Sequence, residues 1–283
     1  MPEILRPDGA RIHYQVHGEG FPVLLLAPGG VSSEASSWDT HPYHPVRELA
    51  PHFQVIVMDQ RHAGASHAPA LPFDYAQTSA DQLAVLDELG IEQAHLVAAG
   101  SGCVHAWRLA HDAPERVRSV VAERPVGRDA SNTLGTYFRP FDEAMRHPRA
   151  EGVAGVLAAA EENGRFADNP AAGPFAQRLH DDEEFRAEIG AVRRENYITL
   201  LVRFRDGLWP DGSAYFSVPE AWMAEFPAPL LVLPGDDAEH PEGLAKRIVH
   251  EAPQAVLPEA SDSGTAEPET ASILAFLRQH TPR

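Results

Sequence analysis

Short apolar runs recur along the first 126 residues, each closed by a turn and followed by a helical pattern. Val23-Leu24-Leu25-Leu26 ends at Pro28-Gly29-Gly30, and Gln54 to Met58 ends at Asp59. Ala94 to Ala98 and Arg118 to Ala122 are two more. Uninterrupted apolar runs of this length suit strands buried on both faces, as in a parallel sheet. Arg11 to Val16 reads as a further strand, placed after the Asp8-Gly9 turn. Ala80 to Leu89 is helical, with Leu83, Leu86 and Leu89 on one side and Gly90 as the stop. Cys103 to His111 is helical and halts before Ala113-Pro114. This alternation predicts a doubly wound, mostly parallel α/β sheet.

The rhythm lapses between 127 and about 226. Val153 to Asn163, Phe175 to His180 and Glu183 to Arg205 read as helices, separated by Gly, Pro and Asn. It resumes at Leu230 to Leu233, with a helix at Pro241 to His250, a strand at Ala255 to Leu257 and a closing helix at Glu269 to His280. The expectation is an α/β core formed by 1–126 and 227–283, interrupted by a mainly helical cap at 127–226.

Chemistry in an open parallel sheet collects at the C-terminal ends of its strands. Three stretches there carry a resemblance. Val23 to Gly30 looks like an oxyanion-loop strand. Met58-Asp59-Gln60-Arg61-His62-Ala63-Gly64-Ala65-Ser66 is similar to a D-x-R-G-x-G-x-S turn. His95 to Gly102, running on to Ala113-Pro114-Glu115-Arg116-Val117, is similar to a nucleophile elbow with its helix. In this order and spacing they resemble the α/β-hydrolase family over most of the chain.

The family's elbow reads G-x-S-x-G, with the nucleophile on a strained strand-to-helix turn. Counting from the strand and from Pro114 both place that position at Gly100, flanked by the small residues Ala98 and Gly102. A shifted register would make Ser101 the nucleophile. In the first register its backbone N–H becomes an oxyanion donor. By resemblance, the acid is expected after the seventh strand, where Asp236 and Asp237 precede His240. The base is expected after the last strand, but Leu257 to Gly264 holds no His, and Asp262 falls near its place. His240 could serve as base with Asp236 or Asp237 orienting it. Glu123 and Arg124, ending the sixth strand, are a candidate charged pair, since some relatives carry an acid there. Gly29 and Gly30 could supply oxyanion N–H groups, and His62 could line the pocket. Cys103 and His105 read as buried packing residues.

Composition narrows the classes further. The formal net charge of −18 lacks the basic footprint of nucleic-acid binding, and it is spread along the whole chain. No apolar run is long enough for a membrane span, and the N-terminal residues have no apolar signal region. One cysteine fits a reducing cytoplasm. No phosphate-cradling glycine motif and no Cys/His metal spacing is present, so no cofactor or metal is expected. A monomer or homodimer acting on a small apolar or aromatic molecule is the expectation.

Three functions remain open at this stage. The first is a cofactor-independent, non-hydrolytic enzyme of cyclase, lyase or isomerase type, as in biosynthesis of specialised metabolites. The second is a hydrolase with displaced residues, Ser101 or a water with His240 and an Asp. The third is a ligand-binding pseudoenzyme.

Overall fold

A computed structural model describes residues 2–258 and 266–282. The Asp262 position therefore lies outside the described residues. Eight strands are present among the described residues: β1 (Glu3–Leu5), β2 (Arg11–His17), β3 (Pro22–Leu26), β4 (Gln54–Met58), β5 (Ala94–Ala99), β6 (Val117–Glu123), β7 (Leu230–Leu233) and β8 (Ala255–Val256). They form one sheet in the order β1-β2-β4-β3-β5-β6-β7-β8. The β1–β2 and β2–β4 pairs are antiparallel, and every other pair is parallel. The chain reverses its direction of travel across the sheet beside β3 and β5, so the loops after these two strands flank the crevice where such sheets bind ligands.

The apolar runs become strands because both of their faces are covered. All six residues of β5 are buried. Helices α1 (Pro45–Leu49), α2 (Tyr75–Glu88) and α3 (Gly102–Asp112) connect β3 to β4, β4 to β5 and β5 to β6. One side of the sheet packs Leu24, Leu96 and Val120 against α2 and α3, with Trp107 fully buried. The other packs Leu25, Val97 and Val121 against α1 and the C-terminal helix.

Between β6 and β7 lie α4 (Leu134–Glu162), α5 (Ala176–Asp181), α6 (Glu183–Gly190) and α7 (Arg194–Leu208). Helix α4 begins well before the expected Val153 and kinks at Gly152, which takes φ 72°. The expected single helix at 183–205 is two, broken at residues 191–193. Asp182 caps the first by accepting from the Phe185 N–H at 2.9 Å. These helices share their own core, in which Tyr197, Phe204, Phe175 and Phe185 are fully buried. Residues Ala214, Tyr215, Val218, Met223 and Phe226 instead join the sheet's core, while Phe216 between them packs with the cap on Tyr137 and Trp209. Helices α8 (Glu242–Glu251) and α9 (Ala266–His280) complete the chain. No described helix is long and apolar enough to cross a membrane.

Candidate active site

The turn from β5 into α3 is sharp, and Gly100 carries it at φ 53°. Its N–H donates to the Glu123 carbonyl at 2.8 Å, which ties the turn to β6. Two residues on, a Cβ at Gly102 would lie 2.0 Å from the Leu26 carbonyl oxygen. Only glycine lets the first turn of α3 sit that close to β3. This is the strained strand-to-helix elbow, and Gly100 holds the position from which a nucleophile would project. Ser101 is not in that position. It has helical backbone angles, is buried, and its Oγ accepts the Gly30 N–H at 2.6 Å. The shifted register is therefore not the one the backbone adopts.

His240 comes from the loop after β7. A Cβ built on Gly100 would lie 3.4 Å from its Nε2. Its Nδ1 lies 2.8 Å from Asp237 Oδ1 and 2.9 Å from Oδ2. Asp237 also accepts the backbone N–H groups of Glu239 (2.9 Å) and His240 (3.0 Å). Partial burial pushes this carboxyl up, but the His240 hydrogen bonds and charge outweigh it and hold the group well below the usual carboxylate range. The acid is thus ionised. It orients the ring with Nδ1 toward itself and leaves Nε2 free to exchange a proton. Asp237 and His240 come from one short loop with three-residue spacing, rather than from the ends of two strands.

A cavity of about 360 Å³ opens above the elbow, between the sheet and the helical layer. Gly29, Gly30, Ser101 and His240 reach it from the sheet side. Tyr137, Phe141 and Trp209 wall it from the cap. Phe166 also lines it, whereas Tyr197, Phe204, Phe175 and Phe185 pack inside the cap's own core. The cavity lining is thus mostly apolar, with Ser101, Thr136, Glu239 and His240 among the polar residues that reach it.

Two further residues fix the His240 loop. Asn132 Nδ2 donates to the Ala238 carbonyl at 2.9 Å, and the Tyr137 hydroxyl lies 3.0 Å from the Glu239 carbonyl. Sequence reasoning missed Asn132, since nothing in a lone Asn between β6 and α4 marks it as a strap on a loop about a hundred residues away.

The remaining candidates lie elsewhere. Arg124 is half-exposed and stays outside the cavity, and its Nη2 holds Asp237 Oδ2 at 2.7 Å. Asp236 is almost fully exposed, and the carboxylate that contacts the His240 ring is that of Asp237. Glu123 is buried and turns to the side of the sheet that carries Ala99. There it accepts a hydrogen bond from the Tyr43 hydroxyl and lies 3.4 Å from His41 Nε2. It does not line the cavity. His62 is displaced too, wedged edge-on against Phe175 and Phe204, with ring centroids 5.1 and 5.5 Å away. Burial holds its imidazole down to about 3. The turn that bears it is scaffolding. Asp59 accepts the Ala35 and Ala65 N–H groups at 2.7 and 2.9 Å, and Arg61 pairs with the buried Asp81. His105 is buried beside Thr78 Oγ1 at 3.2 Å, and Cys103 is a buried thiol. Among the described residues no group of three or more His, Cys, Asp or Glu side chains converges to hold a metal.

Known proteins show the same architecture. A family model described as the alpha/beta hydrolase fold matches residues 22–188. A provisionally named carbamate hydrolase, RutD, of Azorhizobium caulinodans is 35% identical over 39% of this chain and 40% of its own. The acetyltransferase component of an acetoin cleaving system from Cupriavidus necator is 33% identical over 62% of this chain and 42% of its own. The chain thus spans about two fifths of the length of these two relatives. The enol-lactonase from Burkholderia xenovorans LB400 superposes with a TM-score of 0.63 at 20% identity, covering 98% of this chain and all of its own. With the elbow, the parallel sheet and a family match over more than half of its length, this chain belongs to the α/β-hydrolase family.

Proposed function

We propose that this protein is an enzyme that moves protons on a small, largely apolar molecule without forming a covalent intermediate at residue 100. One observation carries the reading. The His240–Asp237 pair is built and aimed as a catalytic base, and the side chain it aims at is missing at Gly100. An ester-cleaving triad needs a hydroxyl at that point to receive the base's help. With glycine there, Nε2 faces the cavity and takes its proton from the substrate itself. Elimination, isomerisation and cyclisation need that step and no acyl-enzyme.

A second reading shares the dyad. In it His240 activates a water that attacks the substrate, and the protein is a hydrolase. The hydrolase name of the RutD relative favours it. Both readings place the base at His240.

The test uses 5-nitrobenzisoxazole, which opens when a base removes its carbon-bound proton and the N–O bond breaks. The wild-type protein is expected to accelerate this opening above buffer, and His240→Ala to abolish the acceleration. No acceleration, or one that survives His240→Ala, contradicts the proposal. Ester turnover that depends on His240, with no effect on the benzisoxazole, would favour the water-activating reading.

A further inference from the structure

We propose that the Ser101 hydroxyl is the donor to a substrate carbonyl oxygen, and that the site therefore takes small carbonyl compounds with an acidic C–H beside the carbonyl. This rests on the proton-transfer reading above and adds to it the second half of the chemistry.

A hydroxyl has one proton to give and two lone pairs to accept with. Gly30 N–H uses one lone pair of Ser101 Oγ at 2.6 Å and fixes the oxygen in place. The residue is more than nine-tenths buried, and it lines the cavity. Among the described residues its own O–H meets no acceptor. A buried donor without an acceptor is costly, and here it borders the space where a ligand sits. The Gly30 N–H, which could have served an oxyanion directly, is committed to Ser101. The loop after β3 thus acts on the substrate through that hydroxyl.

The neighbouring atoms set the substrate's orientation. Ser101 directly follows Gly100, the residue at which His240 Nε2 is aimed. A carbonyl oxygen against Ser101 Oγ leaves the adjoining carbon over Gly100, next to Nε2. Nε2 then takes the proton on that carbon. The C–H electron pair becomes a carbon–carbon π bond, and the carbonyl π pair moves onto oxygen, where the Ser101 O–H holds it. Asp237 stabilises the imidazolium, which later returns the proton to another atom of the substrate. The step needs no oxidant, reductant or co-reactant.

The experiment titrates 4-nitrophenol, whose anion imitates an enolate oxygen, at a pH where the free phenol is neutral. Phenolate absorbance reports proton transfer to His240, and the titration gives affinity. The wild-type protein is expected to bind it and to show the phenolate band. Ser101→Ala is expected to bind at least about tenfold more weakly, as loss of a hydrogen bond to a charged group implies. Ser101→Thr, which keeps the hydroxyl, should recover most of that loss. Unchanged or tighter binding by Ser101→Ala overturns the proposal, because the freed Gly30 N–H would then be the donor. Failure of the wild-type protein to bind overturns it as well. His240→Ala separates the two ideas. It should abolish the phenolate band while keeping Ser101-dependent affinity for added phenolate at higher pH. A band that persists in His240→Ala defeats the proton-transfer reading on its own.

Discussion

The Nε2 of His240 lies 3.4 Å from the point that a Cβ on Gly100 would occupy. Asp237 holds the opposite nitrogen of the ring at 2.8 Å. In Asp237→Asn the amide oxygen can still accept the Glu239 and His240 N–H groups, so the loop keeps its shape. What is lost is the negative charge beside the ring. Base-catalysed opening of 5-nitrobenzisoxazole should fall by at least about a hundredfold. The melting temperature should change little.

Arg124 grips the same carboxylate from a half-exposed position. Exposed ion pairs contribute about 0–1 kcal/mol. Arg124→Ala should therefore lower the benzisoxazole rate less than about tenfold. A loss as large as that of Asp237→Asn would mean that Arg124 touches the reacting molecule.

Glu123 separates stability from chemistry. It is buried against Tyr43 and His41, and none of the three lines the cavity. Glu123→Gln should cost about 1–3 kcal/mol in urea unfolding, since buried hydrogen bonds to a charged group are disturbed. The rate per folded molecule should stay within about twofold of wild type.

The buried histidines make the fold acid-sensitive. Burial holds His62 down to about 3 and His105 down to about 4, from an ordinary value of 6.5. Below 6.5 the unfolded chain binds protons at these rings and the folded chain does not. Stability is therefore complete above 6.5 and declines as the pH falls toward 4, by up to about 1.4 kcal/mol per pH unit for each ring. His62→Asn removes one such ring, and Asn tolerates the positive φ of 68° found there. Its urea midpoint should drop less between pH 7 and pH 5 than that of wild type. An equal drop would show that His62 does not contribute.

The sheet was legible because each parallel strand is an unbroken apolar run between turn residues, a pattern set by burial on both faces. The elbow was legible because close packing demands small residues at Ala98 and Gly102, so the missing side chain at Gly100 could be located by counting. The dyad was half legible. Asp237 and His240 stand three apart, but spacing alone did not choose between Asp236 and Asp237. Arg124, Asn132 and Tyr137 select the loop's conformation, and these contacts bring together residues about a hundred positions apart. Glu123 and His62 misled for a related reason. Glu123 ends β6 and His62 lies in the turn after β4, but the side of the sheet on which a side chain emerges, and the aromatics of a distant cap, decide where they go. Helix α4 was read only in part, since Pro140, Pro148 and Gly152 break its pattern although the helix continues through the prolines and kinks at Gly152.

Restoring the absent side chain tests the central claim most directly. In Gly100→Ser the new hydroxyl enters the strained elbow, at a cost of about 1–3 kcal/mol in stability, within reach of His240 Nε2. Labelling with a fluorophosphonate probe should be absent in wild type and strong in Gly100→Ser. It should be lost again in Gly100→Ser combined with His240→Ala. Labelling of wild-type protein at Ser101, or a Gly100→Ser protein that folds and stays unlabelled, would contradict the account.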